Sequence, residues 1–101
     1  MFDSFIKAGK RHREGGPALV TYYRNGVITS EDYYINGERH RVDGPAVIEY
    51  YENGAILSET YYANNKVHRE VDPARICYAK SGEVAYKDFC INNILKRTEW
   101  C

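Results

Sequence analysis

Short runs rich in tyrosine, valine, isoleucine and threonine recur along the chain, and each is closed by a turn-forming dipeptide. Residues 46–52 and 55–62 are the clearest pair, and they flank Asn53-Gly54. β-Branched and aromatic side chains fit a pleated, half-buried surface. Asn-Gly between two such runs signals a hairpin, because both residues tolerate positive φ. A shorter extended piece, Glu38–Arg41, follows the second turn, and Asp43-Gly44-Pro45 redirects the chain. No stretch of helix length carries apolar positions at helical spacing. The pattern predicts an all-β chain with little or no helix. It would be an antiparallel meander of tandem hairpins, forming an elongated twisted sheet of about seven or eight strands.

The pattern repeats with a period of 28 residues. His12, His40 and His68 keep this step, as do Pro17, Pro45 and Pro73, and Gly26, Gly54 and Gly82. So do Tyr22, Tyr50 and Tyr78, and Arg13, Arg41, Arg69 and Arg97, while Tyr33 and Tyr61 continue to Phe89. Full units cover 9–36, 37–64 and 65–92, with partial units at 1–8 and 93–101, all within a single repeat domain. The third unit departs from the other two. Asp72 stands at the Gly44 position, Asn65 at Gly37, Lys87 at Glu59 and Cys90 at Tyr62. Terminal units of repeat arrays are atypical because one face lacks a neighbour, so this unit reads as a cap.

Alternation along strands assigns faces. A two-residue loop at Asn53-Gly54 would set Tyr50 opposite Leu57 and Ile48 opposite Glu59. One face then carries Ala46, Ile48, Tyr50, Leu57, Glu59 and Tyr61, and is expected to be the core side. The other carries Val47, Glu49, Tyr51, Ile56, Ser58, Thr60 and Tyr62. A half-buried carboxylate at Glu31 or Glu59 needs a partner, and the repeating Arg13 and Arg41 are the candidates.

Gly37 to Ala46, read as Gly-x-x-His-Arg-x-x-Gly-Pro-Ala, is followed by Tyr50-Tyr51-x-Asn53-Gly54 and by Glu59-x-Tyr61-Tyr62-x-Asn64. This unit resembles the MORN-repeat variants, over nearly the whole chain. Its hairpin core is similar to that of ordinary MORN repeats, and the His-Arg and Gly-Pro-Ala segment makes it longer. Such arrays look most like proteins of bacteriophages and large DNA viruses, and related hairpin repeats occur in bacterial immunity proteins that neutralise toxins. The resemblance implies an elongated twisted sheet used for protein contact, in some members for lipid contact, and no catalytic residue.

The chain has 101 residues, with 14 basic and 14 acidic side chains. A zero formal balance argues against binding duplex nucleic acid or an anionic membrane, both of which favour a basic excess. No apolar run is long enough for a membrane span, and Met1 to Ile6 lacks a signal-peptide layout. Cys77, Cys90 and Cys101 are odd in number, which fits reduced thiols in the cytoplasm, the host's cytoplasm if the protein is phage-encoded.

Candidate chemistry is sparse. The three histidines are flanked by arginines, which oppose a metal ion, so His12, His40 and His68 are read as structural. Arg13, Arg41, Arg69, Glu31 and Glu59 are read the same way. The Glu31/Glu59 pair as glycosidase-like acid and base is disfavoured, because one repeat column supplies both. The cysteines lack any accompanying base or oxyanion motif. No metal and no cofactor are expected, and no enzymatic activity. The basic stretch Lys7–Arg13 reads as a solvated rim. Tyr23, Tyr34, Tyr51 and Tyr62, with Arg11 and Arg39, are the candidate partner-binding residues, because Tyr and Arg are enriched at interface hot spots. Exposed sheet edges add the prospect of a homodimer.

The sequence therefore points to a non-enzymatic protein-binding module. Its most specific form is a phage- or virus-encoded inhibitor of a host defence protein acting by steric occlusion. The alternative is a bacterial immunity protein or antitoxin. Lipid or single-stranded nucleic-acid binding stands third, and strong salt sensitivity would mark the nucleic-acid form of it.

Overall fold

The computed structural model describes residues 2–4, 6–7, 10–11, 13 and 16–101, and of residues 2, 6, 7, 10 and 11 it describes the main chain alone. The chain enters strand β1 at Phe2–Ser4, then forms the short β2 at Ile6–Lys7 and β3 at Lys10–Arg11. One unit then follows as β4 (Leu19–Tyr22), β5 (Ile28–Asp32), β6 (Tyr34–Ile35) and β7 (Glu38–Arg39). The next is β8 (Val47–Tyr50), β9 (Ile56–Thr60), β10 (Tyr62–Ala63) and β11 (Lys66–Val67). The last strands are β12 (Arg75–Tyr78), β13 (Val84–Ile91) and β14 (Ile94–Trp100).

The long strands form one eight-stranded antiparallel sheet in the order β1-β4-β5-β8-β9-β12-β13-β14. The short strands form two-stranded ladders, β2-β3, β6-β7 and β10-β11. The fold is thus all-β, as the alternation indicates, and among the described residues it contains no helix. It is thin, with extents of 40 × 33 × 18 Å.

Two turn chemistries alternate along it. At 36–37, 64–65 and 92–93 both central residues have positive φ, 50° and 82° at Asn36-Gly37 and 50° and 66° at Asn64-Asn65. These are two-residue hairpin turns in which asparagine tolerates the left-handed region. The turn at Asn53-Gly54 differs from the two-residue loop expected there. The Gly54 N–H donates to the Tyr51 carbonyl (2.9 Å) and the Tyr51 N–H to the Ala55 carbonyl (2.8 Å). Only Gly54 is left-handed, with φ 88°, which is the type I turn with a glycine bulge. Asn53 serves through its side chain, whose Oδ1 accepts from the Ala55 N–H at 2.9 Å. The bulge sets Tyr50 opposite Ile56 instead of Leu57, while Ile48 does stand opposite Glu59. Tyr22 and Tyr78 show the same shift.

Register now fixes the faces. Val20, Glu31, Ile48, Glu59, Ile76 and Lys87 lie in one row on the first face. Leu19, Asp32, Val47, Thr60, Arg75 and Asp88 form a row on the second, beside Thr21, Ser30, Glu49, Ser58, Cys77 and Tyr86. The first face was expected to be the core side. Val20 is buried on it, as are Ala18, Ala46 and Ala74, which alternation assigns to the same face, but Asp32, Ser58, Thr60 and Cys77 are buried on the second, so both faces contribute to the core. Ala18, Ala46 and Ala74 are fully buried at the junctions, where their N–H groups donate to the carbonyls of Asp32, Thr60 and Asp88.

Gly54 has open space where a Cβ would go, so its requirement is conformational rather than steric. Gly54→Ala should therefore lower stability by about 1 kcal/mol, measured by thermal or urea unfolding. An unchanged midpoint would remove this account of the turn.

Candidate functional site

The repeated columns are used inside the molecule. The Tyr50 hydroxyl donates to Glu31, and the Tyr78 hydroxyl donates to Glu59 at 2.5 Å. Tyr22 donates to Asp3 at 2.7 Å, and Asp3 stands 28 residues before Glu31. Each bond joins a unit to the one before it. The carboxylate partners are therefore tyrosines, not the arginines expected. Arg41, Arg69 and Arg97 stack over Tyr33, Tyr61 and Phe89 at 4.0, 3.9 and 3.8 Å from the ring centres. Arg13, Arg41 and Arg69 also donate to the carbonyls of Pro17, Pro45 and Pro73. A methyl group on Gly44 would approach Arg41 Cζ to 3.0 Å, so the absence of a side chain there admits the guanidinium. The part-buried bonds of Tyr50 to Glu31 and Tyr78 to Glu59 join units, whereas the exposed Arg41–Asp43 ion pair (3.5 Å) lies within one unit.

Histidine fills its column structurally. His40 Nδ1 accepts the Asn64 N–H at 3.4 Å and His68 Nδ1 accepts the Asn92 N–H at 3.1 Å, each from the next two-residue turn along the chain. His12 lies outside the described residues. Among the described residues no group of three His, Cys, Asp or Glu side chains could hold a metal. Cys77 and Cys90 are buried free thiols and Cys101 is exposed; burial pushes the Cys90 thiol up.

The proposed tyrosine stripe divides into two groups. Tyr23 and Tyr51 lie at the hairpin ends, where their hydroxyls donate to the carbonyls of Tyr50 and Tyr78, both at 2.7 Å. Tyr34 is buried and Tyr62 half-buried at the other end of the strands. Arg39 lies between those two, 5.4 Å from the Tyr34 ring centre and 5.7 Å from that of Tyr62. Its guanidinium also meets Asp32 at 3.5 Å. Of Arg11 only the main chain is described, in β3 opposite Ile6.

Arg39 and Tyr62 open onto a cleft of about 260 Å³ on the second face, lined also by Ser30, Asp32, Val47, Glu49, Thr60 and Arg75. Two arginines and two carboxylates converge there with an aromatic ring. Desolvation holds the Asp32 carboxyl above its usual range against the opposing pull of Arg39. Asp32 Oδ1 and Arg39 Nε are buried and have no hydrogen-bond partner. Arg75 Nε donates to Cys77 Sγ at 3.4 Å, and Glu49 accepts from the Ser58 hydroxyl at 2.8 Å. A hollow of about 420 Å³ on Arg13, Tyr33, His40 and Arg41 is larger, but its walls are side chains that already hold the unit junctions.

No known protein-family model, curated protein or solved structure matches the chain. The cleft is therefore judged on its own chemistry. Asp32, Glu49 and Arg75 were not among the residues expected at a site. Their signal lies in columns whose residue changes from unit to unit: Leu19, Val47 and Arg75; Thr21, Glu49 and Cys77; Asp32, Thr60 and Asp88. Glu49 and Arg75 each occur once in their columns, whereas Arg39 and Tyr62 recur one unit earlier as Arg11 and Tyr34.

Two titrations follow. Burial, then the bond to Glu59, pushes the Tyr78 hydroxyl from 10.0 up to about 12, and Tyr50 is raised by the same causes. A folded pKa above the unfolded value means the protonated form stabilises the fold. That stability is complete below pH 10 and declines as pH rises towards 12. Alkaline unfolding should fall in this window, and Tyr78→Phe should flatten it in a circular-dichroism titration. Asp32 is also raised, so its ionised form destabilises the fold at neutral pH. Asp32→Asn should raise the thermal midpoint at pH 7, with the gain shrinking as acid protonates the wild-type carboxyl. A lower midpoint at pH 7 would show that Arg39 repays the burial.

Proposed function

We propose that this chain is a non-enzymatic binding module that engages a protein partner through the second face, centred on Asp32, Arg39, Glu49, Tyr62 and Arg75. The observation that supports this reading is the division of labour between columns. The repeated Tyr50, Tyr78, Arg41 and Arg69 are tied to neighbouring units or to the main chain, while Glu49 and Arg75, each unique in its column, join Asp32, Arg39 and Tyr62 in one cleft. Arginine beside tyrosine is the composition of interface hot spots. Mixed charge with no basic excess suits a protein surface better than a phosphate backbone. No helix among the described residues is long and apolar enough to cross a membrane.

Together with the resemblance to MORN-variant arrays of phages and large DNA viruses, the most specific form of the reading is an inhibitor of a host defence protein. Its mechanism is steric: a rigid sheet lies over the partner's functional surface. The thin array needs no closure to do so.

The test is affinity capture from bacterial lysate with the wild-type chain, an Arg39→Ser/Arg75→Ser variant and a Lys87→Ser control on the first face. The expected result is one stoichiometric protein retained by wild type and control and lost by the double variant. Adding the chain should then suppress that protein's own activity. Equal retention by all three baits would exclude the second face. Recovery of only nucleic acid or lipid would overturn the protein-binding reading.

A further inference from the structure

The sheet ends at β14, and on its outer side no strand is bonded among the described residues. This edge is seven residues long and exposes Ile94, Leu95 and Trp100 at 59%, 56% and 76%. Edges are blunted by shortness, proline, bulges and charged side chains, lysine above all. β14 is long, and beyond the bulge at Lys96 its charges are of opposite sign, Arg97 and Glu99 on either side of Thr98.

Its outward main-chain groups can be assigned. The Cys101 N–H donates inward to the Ala85 carbonyl at 3.0 Å. Antiparallel ladders alternate, so Glu99 and Arg97 also bond inward, to their partners Lys87 and Phe89. The N–H and C=O groups of Thr98 and Trp100 are left pointing out of the sheet.

We propose that β14 pairs antiparallel with β14 of a second copy of this chain about a two-fold axis at Thr98. In a symmetric antiparallel pair, residues facing each other across the strands lie on one side of the sheet, so the axis passes through a residue position. An axis at Lys96, Arg97 or Glu99 would set that charge against its own copy. An axis at Thr98 sets threonine against threonine and Arg97 against the second copy's Glu99, twice. Opposite charges and threonine pairs directly across a ladder are favourable, and like charges are not. Within one copy Arg97 Nε already meets Glu99 Oε2 at 3.2 Å with both side chains about half exposed, so the two pairs would merge into one four-charge cluster. Trp100, its ring tilted against that of Tyr86 at 4.9 Å, flanks this pairing on one side, and the bulge at Lys96 bounds it on the other. The same register also joins the two sheets edge to edge with their second faces on the same side.

Sedimentation of the wild-type chain over a concentration series tests this. The expected species is a dimer of the 11.7 kDa chain. Glu99→Arg and Arg97→Glu, each alone, should weaken association by about tenfold or more, since each turns two attractive pairs into repulsive ones. Mixing the two single variants, or combining them in one chain, should restore it. Thr98→Pro removes an outward N–H together with the Thr98 hydroxyl's bond to Asp88 (2.7 Å), and should give a monomer with an unchanged β spectrum, whereas Thr98→Val, which loses only the hydroxyl bond, should still dimerise. A wild-type monomer at every concentration overturns the proposal. So does a dimer indifferent to both charge reversals, or a mass that grows beyond two copies, which would mean head-to-tail edge pairing. Capture of a partner through the second face is read separately, because none of these substitutions touches the cleft.

Discussion

A single-layer sheet has no second layer to bury against, so a unit of this chain must find its stability in the units on either side of it. The hydrogen bond from tyrosine to a carboxylate of the preceding unit meets that need. It pairs Tyr22 with Asp3, Tyr50 with Glu31 and Tyr78 with Glu59, and so ties every hairpin of the main sheet to its predecessor. Arginine stacked on an aromatic ring and histidine accepting from the next turn extend the same logic along the short ladders. A thickness of 18 Å becomes sustainable because the bonding runs along the array and not across it.

The repeat was legible because it is written in identities: period, strand positions and the absence of helix all follow from alternation and turn residues. The pairing of Ile48 with Glu59 was legible for the same reason. Details that depend on one dihedral were not. Asn53-Gly54 fits both a two-residue loop and a type I turn with a glycine bulge, and only the latter lets Asn53 accept from Ala55. The partner of Glu31 and Glu59 is a neutral hydroxyl 19 residues further along the chain, which formal charge does not mark. Arg41 prefers the ring of Tyr33 and the Pro45 carbonyl, which together satisfy it better than a distant carboxylate.

The cleft was half legible. Arg39 and Tyr62 were expected to contact a partner, and they do meet there with Asp32. Tyr23 and Tyr51 share the aromatic pattern but donate to the main chain of the neighbouring unit, a role that residue type alone cannot distinguish. Glu49 and Arg75 were invisible to a search for recurrence, since each occurs once in its column. Burying Asp32 with an unpartnered oxygen is unfavourable for the fold.

The histidine-to-turn contact has a consequence for how such a molecule changes length. The Asn64 N–H finds its acceptor on His40, and the Asn92 N–H finds an equivalent one on His68. The donors and acceptors at one junction are the same as those at the next. In-frame duplication of the middle unit by recombination would leave the tyrosine–carboxylate and histidine–turn contacts at its junctions in place. Inheritance can therefore alter the reach of the array in whole steps while the residues of the second face diverge independently.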